Sequence, residues 1–473
     1  MGEPLRPRRR ADDRAPAGRR RPLRRPRGVL VQARPGGEGL LPADPGARRD
    51  PRSIRLAAGH RARLLPLARP GGTVNLVILG ATGSIGGSAL DVAASLGERV
   101  RVVGLSCGAD WRALARLVER WRPEVVAIAD PEAWREAREE GAFAAGPEIL
   151  TGEEGVSALA ALSSADTVLN GIVGAAGLVP TLTALQAGKR VALANKESLV
   201  VGGALVTEAA GHPGAAVRFG DPDVRLLPVD SEHNALWQLL EGRRAREVRR
   251  VILTASGGPF RETSAGRLGD VTPEEALDHP TWSMGPKITI DSATLANKAL
   301  EVIEAHWLFG IGYDAIDVVI HPQSIVHGMV ETVDGTLFAE LGEPDMWDPI
   351  RSALTWPERV SHGEPVDLTG LSGLTFERPD HDRFPALAVA RAAGEAGGTA
   401  PAVFNAANEV AVAAFLDGRI GFLDIAATCE RVLESHDVGP ADSVDTLLTA
   451  DRWARERATA TAGHEWTPKT PAG

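Results

Sequence analysis

Cysteine is nearly absent: the 473 residues contain only Cys107 and Cys429. They lie far apart and form no metal-type spacing. That excludes a disulfide framework and points to a reducing compartment, read here as the cytoplasm. Long apolar runs are also missing, because glycine and charge interrupt each one before membrane-spanning length, so no membrane partner is expected. Aromatics make up 4% of the chain, with a single tyrosine. Positive charge is scarce outside the first 74 residues. That segment holds 19 arginines, no lysine and 6 acidic residues, a net of +13. The whole chain carries −10, so the remainder carries −23. An acidic body argues against a general nucleic-acid role for the folded part. A phosphorylated substrate would have to be met by a few local cations. No internal repeat occurs.

What is present is length for two to four domains, at roughly 150 residues each, and 44% apolar content, enough for a sizeable core. Residues 1–73 are rich in Arg, Pro and Gly without hydrophobic period, and are expected to be a disordered extension. They lack the serine content and amphipathic pattern of a targeting peptide. A basic arm for nucleic acid and a start codon assigned too far upstream are the other readings. The abrupt strand onset at Val74 favours the upstream start.

From Val74 the pattern alternates strand and helix. Val74–Leu79, Arg99–Leu105, Val125–Ala129, Asp166–Asn170 and Arg190–Ala194 read as buried parallel strands. Helices are expected after the glycine turn, over Asp110–Trp121 and after Pro180. This predicts an α/β chain with an N-terminal Rossmann-like, doubly wound nucleotide-binding domain over 74–220. Residues 221–355 mix strands and helices as an α+β catalytic domain. Its expected strands are Val251–Thr254, Lys287–Ile290, Ile316–Ile320, Ser324–Glu331 and Thr336–Leu341, the last three as an antiparallel meander. Residues 356–382 are rich in Pro and Gly and read as a linker. Residues 383–473 carry four helical patterns, a C-terminal bundle with a frayed end.

The polar stretch Asp230-Ser231-Glu232-His233-Asn234 sits where a short strand, Arg225–Val229, hands over to a helix. In an extended backbone residues i and i+2 share a face, so Asp230 and Glu232 can offer two oxygens to Mg²⁺ or Mn²⁺. The bland alternative is a helix cap from Asp230 or Ser231 with a solvated acidic first turn. Gly80-x-x-Gly83-x-x-Gly86 follows a strand and opens a helix, the context of a phosphate-cradling turn. Asp110 closes the second strand, where an acid favours a free ribose 2′-hydroxyl, although Arg112 is near. Asn195-Lys196-Glu197-Ser198 follows another strand, at the usual ligand crevice. Ser256-Gly257-Gly258 suits an oxyanion or phosphate. A helix from about Ser292 would carry Asn297 and Glu301 on one face, with Lys298 beside them. Ser292, Asn297 and Lys298 make a phosphate clamp, and Glu301 a third carboxylate for the cation. The loop His279–Lys287, with Trp282 and Met284 at its tips, reads as a lid that excludes water. His321 and His327 flank a strand and read as satisfied core or surface histidines rather than ligands.

Together with Leu341–Met346 and Asn405-Ala406-Ala407-Asn408-Glu409, these motifs follow one order along the chain. In them the chain resembles the 1-deoxy-D-xylulose 5-phosphate reductoisomerase family over about 74–459. The resemblance implies a metal-dependent, NADPH-linked oxidoreductase of non-mevalonate isoprenoid biosynthesis. It rearranges 1-deoxy-D-xylulose 5-phosphate and reduces it to 2-C-methyl-D-erythritol 4-phosphate. Asp230, Glu232 and Glu301 would be ligands to Mn²⁺ or Mg²⁺, and with Lys196 the catalytic set. Lys196, Ser231, Glu232, Ser256, His279, Trp282, Met284, Ser292, Asn297, Lys298 and Glu301 would meet substrate. Thr82, Gly83, Ser84, Ile85, Gly108, Ala109, Asp110, Asn195, Glu197 and Gly285 would line the NADPH site. A homodimer is implied, with a small phosphorylated sugar as substrate and no nucleic-acid partner. Many members have a basic residue and Asn where this chain has Ala109 and Asp110, and a basic residue where it has Pro286. The rival readings are a metal-independent NAD(P) dehydrogenase and a nucleic-acid-binding protein that uses the basic arm.

Overall fold

The computed structural model describes residues 72–462, except 144–145, 216–223, 281, 283, 362 and 364–365. The expectations for residues 1–71 and for the tail beyond 462 lie outside the described residues. Seven strands build the first sheet: β1 (Val74–Leu79), β2 (Val100–Cys107), β3 (Val125–Ile128), β4 (Glu148–Thr151), β5 (Thr167–Asn170), β6 (Arg190–Leu193) and β7 (Leu226–Pro228). Between them run α1 (Ser84–Leu96), α2 (Trp111–Trp121), α3 (Pro131–Glu139), α4 (Gly152–Ala160), α5 (Leu178–Gln186) and α6 (Glu197–Ala209). All pairings are parallel, in the order β4-β3-β2-β1-β5-β6-β7. The chain winds outward to β4 and then restarts on the other side of β1. A crevice therefore opens above the carboxyl ends of β1 and β5, where doubly wound sheets bind ligands.

The buried strands β1, β3, β5 and β6 match the apolar runs in the sequence. β4 was not foreseen, because it is a half-exposed edge with no apolar run. β7 lies past residue 220 yet pairs with β6, so the sheet reaches the polar stretch at Asp230.

The chain continues through α7 (Ser231–Leu240), β8 (Val248–Ala255), α8 (Pro273–Leu277), α9 (Pro286–Ala293), α10 (Ala296–Phe309), β9 (Ile316–Ile320), β10 (Val326–Thr332), β11 (Leu337–Leu341) and α11 (Trp347–Thr355). The second sheet has the order β11-β10-β8-β9. β10 pairs antiparallel with β8 and β11, but β9 pairs parallel with β8. The expected meander is therefore limited to β10 and β11. The segment expected as a strand at Lys287–Ile290 is helical, within α9. Gly285 is its N-cap and Pro286 its first residue, a helix-start pair that overrides the β-branched Ile288-Thr289-Ile290. The helix expected from Ser292 is two helices, broken at Leu295, which has φ +61°. The expected linker contributes one antiparallel bridge, Ile320 with Glu377.

Four helices close the chain: α12 (Ala386–Ala396), α13 (Ala400–Leu416), α14 (Phe422–Glu434) and α15 (Val444–Thr461). α13 is buried almost all round, and its Phe404 belongs to the same core as β1, α6, α10 and α15. Among the described residues no helix is long and apolar enough to cross a membrane.

Two glycines of the first turn are required by contact. Gly80 has φ +76°, and a Cβ on Gly86 would lie 2.4 Å from the Gly80 carbonyl oxygen. Gly86→Ala is expected to push α1 off the sheet and cost about 1–3 kcal/mol, the usual penalty of overpacking. Urea denaturation reads this as a lower midpoint, and an unchanged midpoint would show that the close approach is not needed.

Candidate active site

The centre of the site is three carboxylates held by two lysines. Asp230 occupies the N-cap position of α7, but its side chain makes no capping bond. The cap reading therefore fails: Oδ2 lies 2.7 Å from Lys196 Nζ, and Oδ1 is 2.8 Å from His233 Nδ1. Glu232 reaches the same space from the first turn of α7, so helical geometry rather than an extended run joins it to Asp230. Its Oε1 lies 2.6 Å from Lys298 Nζ, and Ser231 Oγ donates to its Oε2 at 2.6 Å. Glu301 comes from α10. Its Oε1 accepts from Lys196 Nζ at 2.9 Å and from Asn297 one turn earlier, and its Oε2 pairs with Lys298.

Asp230, Glu232 and Glu301 each bring one oxygen within 4.8 Å of the others. Burial opposes ionisation of Asp230, but Lys196 and His233 override it and hold its carboxyl well below the usual range. Burial and the charges of Asp230 and Glu232 push Glu301 up. Three carboxylate oxygens that converge in this way are the donor set of a hard divalent cation.

A second trio, Asp230, His233 and Glu304, is equally compact. His233 is fully buried, with Nδ1 against Asp230 Oδ1 and Nε2 2.9 Å from the Glu301 carbonyl oxygen. Both ring nitrogens face acceptors, so the ring donates twice as an imidazolium. Burial alone would lower its pKa, but Glu304 and Asp230 raise it to about 9. A doubly donating ring cannot ligate a metal, so the trio with Glu232 fits a cation better. Neither Glu304 oxygen takes part in a hydrogen bond, and burial pushes that carboxyl up to about 8.

The second cluster gathers at the end of β8. Gly257 and Gly258 have φ of +88° and +68°, which turns the chain sharply after Ser256. His279 Nε2 lies 3.3 Å from Ser256 Oγ and 3.0 Å from Ser292 Oγ. The Trp282 backbone N–H donates to His279 Nδ1 at 3.0 Å, so Nε2 carries the proton and donates to the serines. Burial lowers the His279 pKa and keeps the ring neutral. Ser256, His279 and Ser292 are thus together, as expected for an oxyanion site. Asn297 and Lys298, expected in the same clamp, instead contact the carboxylates, with Lys196 Nζ donating to Asn297 Oδ1 at 2.8 Å.

Both clusters open into one cavity of about 190 Å³. Ser84 and Ile85 of the glycine turn border it at one end. Lys196, Asp230, Ser231, Glu232, Asn297, Lys298 and Glu301 line it, with Ser256 and Ser292. Trp282, Met284 and Gly285 also line it. The other expected nucleotide residues lie off the cavity. Gly83 is the N-cap of α1, and the neighbouring Thr82 has a buried hydroxyl without a partner. Gly108, Ala109 and Asp110 follow β2, where the Asp110 carboxylate caps α2 by accepting the Ala113 N–H at 2.9 Å. Arg112 stacks on Trp111 and pairs with Glu136 and Glu140. Asn195 and Glu197 are buried. Asn195 Nδ2 donates to the Ile172 and Gly174 carbonyls and to Glu197, so these residues brace the loop after β5.

Ser324, His327 and Met346 also line the cavity and were not foreseen. His327 Nδ1 is 2.9 Å from Glu340 Oε2, and its Nε2 has no partner. Only the pairing of β10 with β8 brings it here, and one-dimensional spacing carries no such signal. His321 is satisfied in the core, as expected.

The high pKa of His233 predicts a pH slope. A group raised from 6.5 in the unfolded chain to about 9 in the fold stabilises fully below pH 6.5, and that contribution is lost as pH rises through 9. The metal-free protein is expected to lose stability over this window in urea titrations. His233→Gln should flatten the slope, and an equal slope in both proteins would contradict the charged ring.

The parallel sheet, the glycine turn and the buried acid trio around one cavity define a dinucleotide-dependent, divalent-cation-assisted enzyme. Three family descriptions match: 1-deoxy-D-xylulose 5-phosphate reductoisomerase over 76–203, its C-terminal domain over 226–309, and the DXP reductoisomerase C-terminal domain over 341–457. Curated relatives of that name are 54% identical over 385 residues in Chlorobium chlorochromatii and 51% over 382 in Pelotomaculum thermopropionicum. The alignments cover 81% and 80% of this chain, and 98% and 96% of the relatives. A solved reductoisomerase from Zymomonas mobilis in complex with NADPH is 42% identical, with a TM-score of 0.74 over 83% of this chain and 99% of that one. Another, in complex with NADPH, fosmidomycin and magnesium, is 40% identical, with a TM-score of 0.75 over 82% and 98%. The chain belongs to the 1-deoxy-D-xylulose 5-phosphate reductoisomerase family.

Proposed function

We propose that the chain rearranges 1-deoxy-D-xylulose 5-phosphate and reduces the product to 2-C-methyl-D-erythritol 4-phosphate, with NADPH and Mg²⁺ or Mn²⁺. The observation that carries this reading is the shared cavity, with the glycine turn at one end and the acid trio in its lining. The trio fits a hard divalent cation, because three carboxylate oxygens converge. Asp230, Glu232 and Glu301 would hold it. When bound, the cation acts as a Lewis acid on the substrate carbonyl and a neighbouring hydroxyl, and the nucleotide supplies hydride. The skeleton rearranges by retro-aldol and aldol steps to a branched aldehyde phosphate, which is then reduced.

The chain's own residues bind, orient and exclude water. Lys196 is buried, but Asp230 and Glu301 keep its pKa well above the ordinary value, so it donates to substrate oxygens and cannot serve as a base. Ser231 and Glu232 face the same space. Ser256, His279 and Ser292, with Asn297 and Lys298 at their flank, receive the phosphate. Binding remote from the reacting carbons supplies orientation. Trp282 and Met284 cover the cavity as a lid. The turn residues Thr82, Gly83, Ser84 and Ile85, the β2 end at Gly108, Ala109 and Asp110, and Asn195, Glu197 and Gly285 form the nucleotide side.

We also infer a homodimer working in the cytoplasm. β11 is an edge strand with Leu337 and Phe338 exposed, an arrangement that pairs readily with a second copy. A metal-independent dehydrogenase would leave the buried acid trio without a role. The nucleic-acid reading rests on the basic arm, residues 1–73, of which 1–71 lie outside the described residues.

NADPH oxidation on 1-deoxy-D-xylulose 5-phosphate, with Mn²⁺ and with chelator, tests the reading, and NADH in parallel measures the effect of Ala109 and Asp110. Asp230→Asn or Glu301→Gln is expected to lower kcat/KM at least about a hundredfold, several kcal/mol of Lewis-acid stabilisation. NADPH binding by fluorescence should stay within about threefold, since the nucleotide side is untouched. Near-normal turnover of either variant would sink the metal assignment.

A further inference from the structure

The segment Asn405-Ala406-Ala407-Asn408-Glu409 has no part in the chemistry above, yet it is buried against the site from the far side. It lies on α13, in the C-terminal bundle. Asn408 Nδ2 donates to Asp291 Oδ1 at 2.8 Å, and Asp291 stands one residue before the phosphate-side Ser292. Asp291 Oδ2 pairs with Lys287 Nζ at 2.5 Å, and the same ammonium lies 3.5 Å from Glu197 Oε1. Lys287 is two residues past Gly285, at the base of the lid. Glu409 Oε1 accepts the Ala175 N–H at 3.2 Å, in the loop after β5, while its Oε2 pairs with Arg455 of α15 at 2.7 Å. A Cβ on Gly174 would come within 2.9 Å of Glu409 Oε1, so this loop is packed directly on the acid. Asn195 braces the same loop from the nucleotide side.

One polar junction therefore joins α9, which carries the lid base at one end and Ser292 at the other, to the β5 loop and the bundle. We propose that Lys287 and Glu409 are positioning residues that hold the lid base and the β5 loop as one body, so that the nucleotide and sugar-phosphate sites are set together. Charge supports the geometry: burial works against ionising Glu409, but Arg455 and Lys287 hold its carboxyl below the ordinary value. Neither side chain lines the cavity, so each acts through the groups it holds. A junction of this kind predicts thermodynamic coupling, in which ligand at one site tightens the other. The inference rests on the reading of the cleft given above.

The test measures the NADPH dissociation constant by fluorescence titration, alone and with saturating fosmidomycin and Mg²⁺. The ratio of the two constants is the coupling factor. In the wild-type protein it should exceed about fivefold, within the usual range for linked sites. Lys287→Met and Glu409→Gln should each bring it down at least about fivefold or to unity, while NADPH binding alone changes less than about threefold, because no group on the cavity wall is altered. Lys287→Arg should restore at least half of the wild-type factor. A wild-type factor of one overturns the proposal. So does a folded variant that keeps the wild-type factor, or one that weakens NADPH binding and leaves the factor alone, since that is a plain structural role. If Lys287→Met does not fold, the near-isosteric Glu409→Gln decides. A wild-type protein that binds no NADPH overturns the reading of the cleft, and this inference with it.

Discussion

The contact on which the rest of the site depends is the Lys196 ammonium between Asp230 and Glu301. It joins the end of the first sheet to a helix of the second region, in a place with little water. Burying three acids would be prohibitive without countercharge, and the two lysines supply it. The His233 imidazolium against Asp230 adds a third cation to the two ammonium groups. Removing one lysine would leave a buried charge uncompensated, at a cost of about 3–5 kcal/mol. The same arrangement that keeps the carboxylates ionised keeps the lysines protonated, so neither lysine is available as a base. Stability and chemistry are thus set by one electrostatic constraint.

Sheet register explains why Lys196 and Asp230 meet. β6 and β7 are parallel neighbours, with Leu193 opposite Pro228. Lys196 stands three residues beyond the first and Asp230 two beyond the second, so both leave the sheet at the same carboxyl edge. Glu301 arrives by helix packing. Gly203 of α6 has no room for a Cβ, because Trp307 of α10 lies 2.3 Å from where it would stand. That close approach draws α10 onto α6. The left-handed residue Leu295 sets the direction of α10 independently of α9, so Ser292 can face the phosphate side while Asn297 and Glu301 face the carboxylates.

Much of this was legible in residue order, and the failures have physical causes. The strand–glycine–helix unit at 74–96 was readable because an apolar strand, broken only by Asn75 at its half-buried start, runs straight into a glycine turn. Asp230 and Glu232 were rightly paired, but for the wrong reason: their proximity comes from the start of a helix. Lys287–Ile290 misled because Ile288-Thr289-Ile290 alternates like a strand, while the decisive Gly285-Pro286 pair sits outside the alternating run. The edge strand β4 had no apolar signature to read. His327 was unreadable in principle, since its place depends on β10 lying beside β8. Asp110 was read for its charge, whereas the fold uses its oxygen to cap α2. Asn195 and Glu197 also have a bracing part that spacing does not show: Asn195 bonds the β5 loop, and Glu197 accepts from Asn195 and Lys287.

The C-terminal bundle bears most directly on how such a site is built. Its apolar pattern predicted helices and nothing more, which would suit an appendage. An appendage would have its own core, but Phe404 and Val403 of α13 share one core with β1, α6 and α10. An appendage would also present a polar face to its neighbours through water. α13 instead buries Asn405 and Asn408 and aims Glu409 at the backbone of the nucleotide-side loop. Asn408 is partnered by Asp291, and Glu409 by the Ala175 N–H and Arg455, so these contacts specify one docking geometry, which a purely apolar contact would leave free to slide. The lid base and the phosphate-side Ser292 lie at the two ends of α9, and the β5 loop belongs to a distant stretch of chain. A common polar partner on α13 is a sufficient physical reason for them to keep a fixed relation to one another.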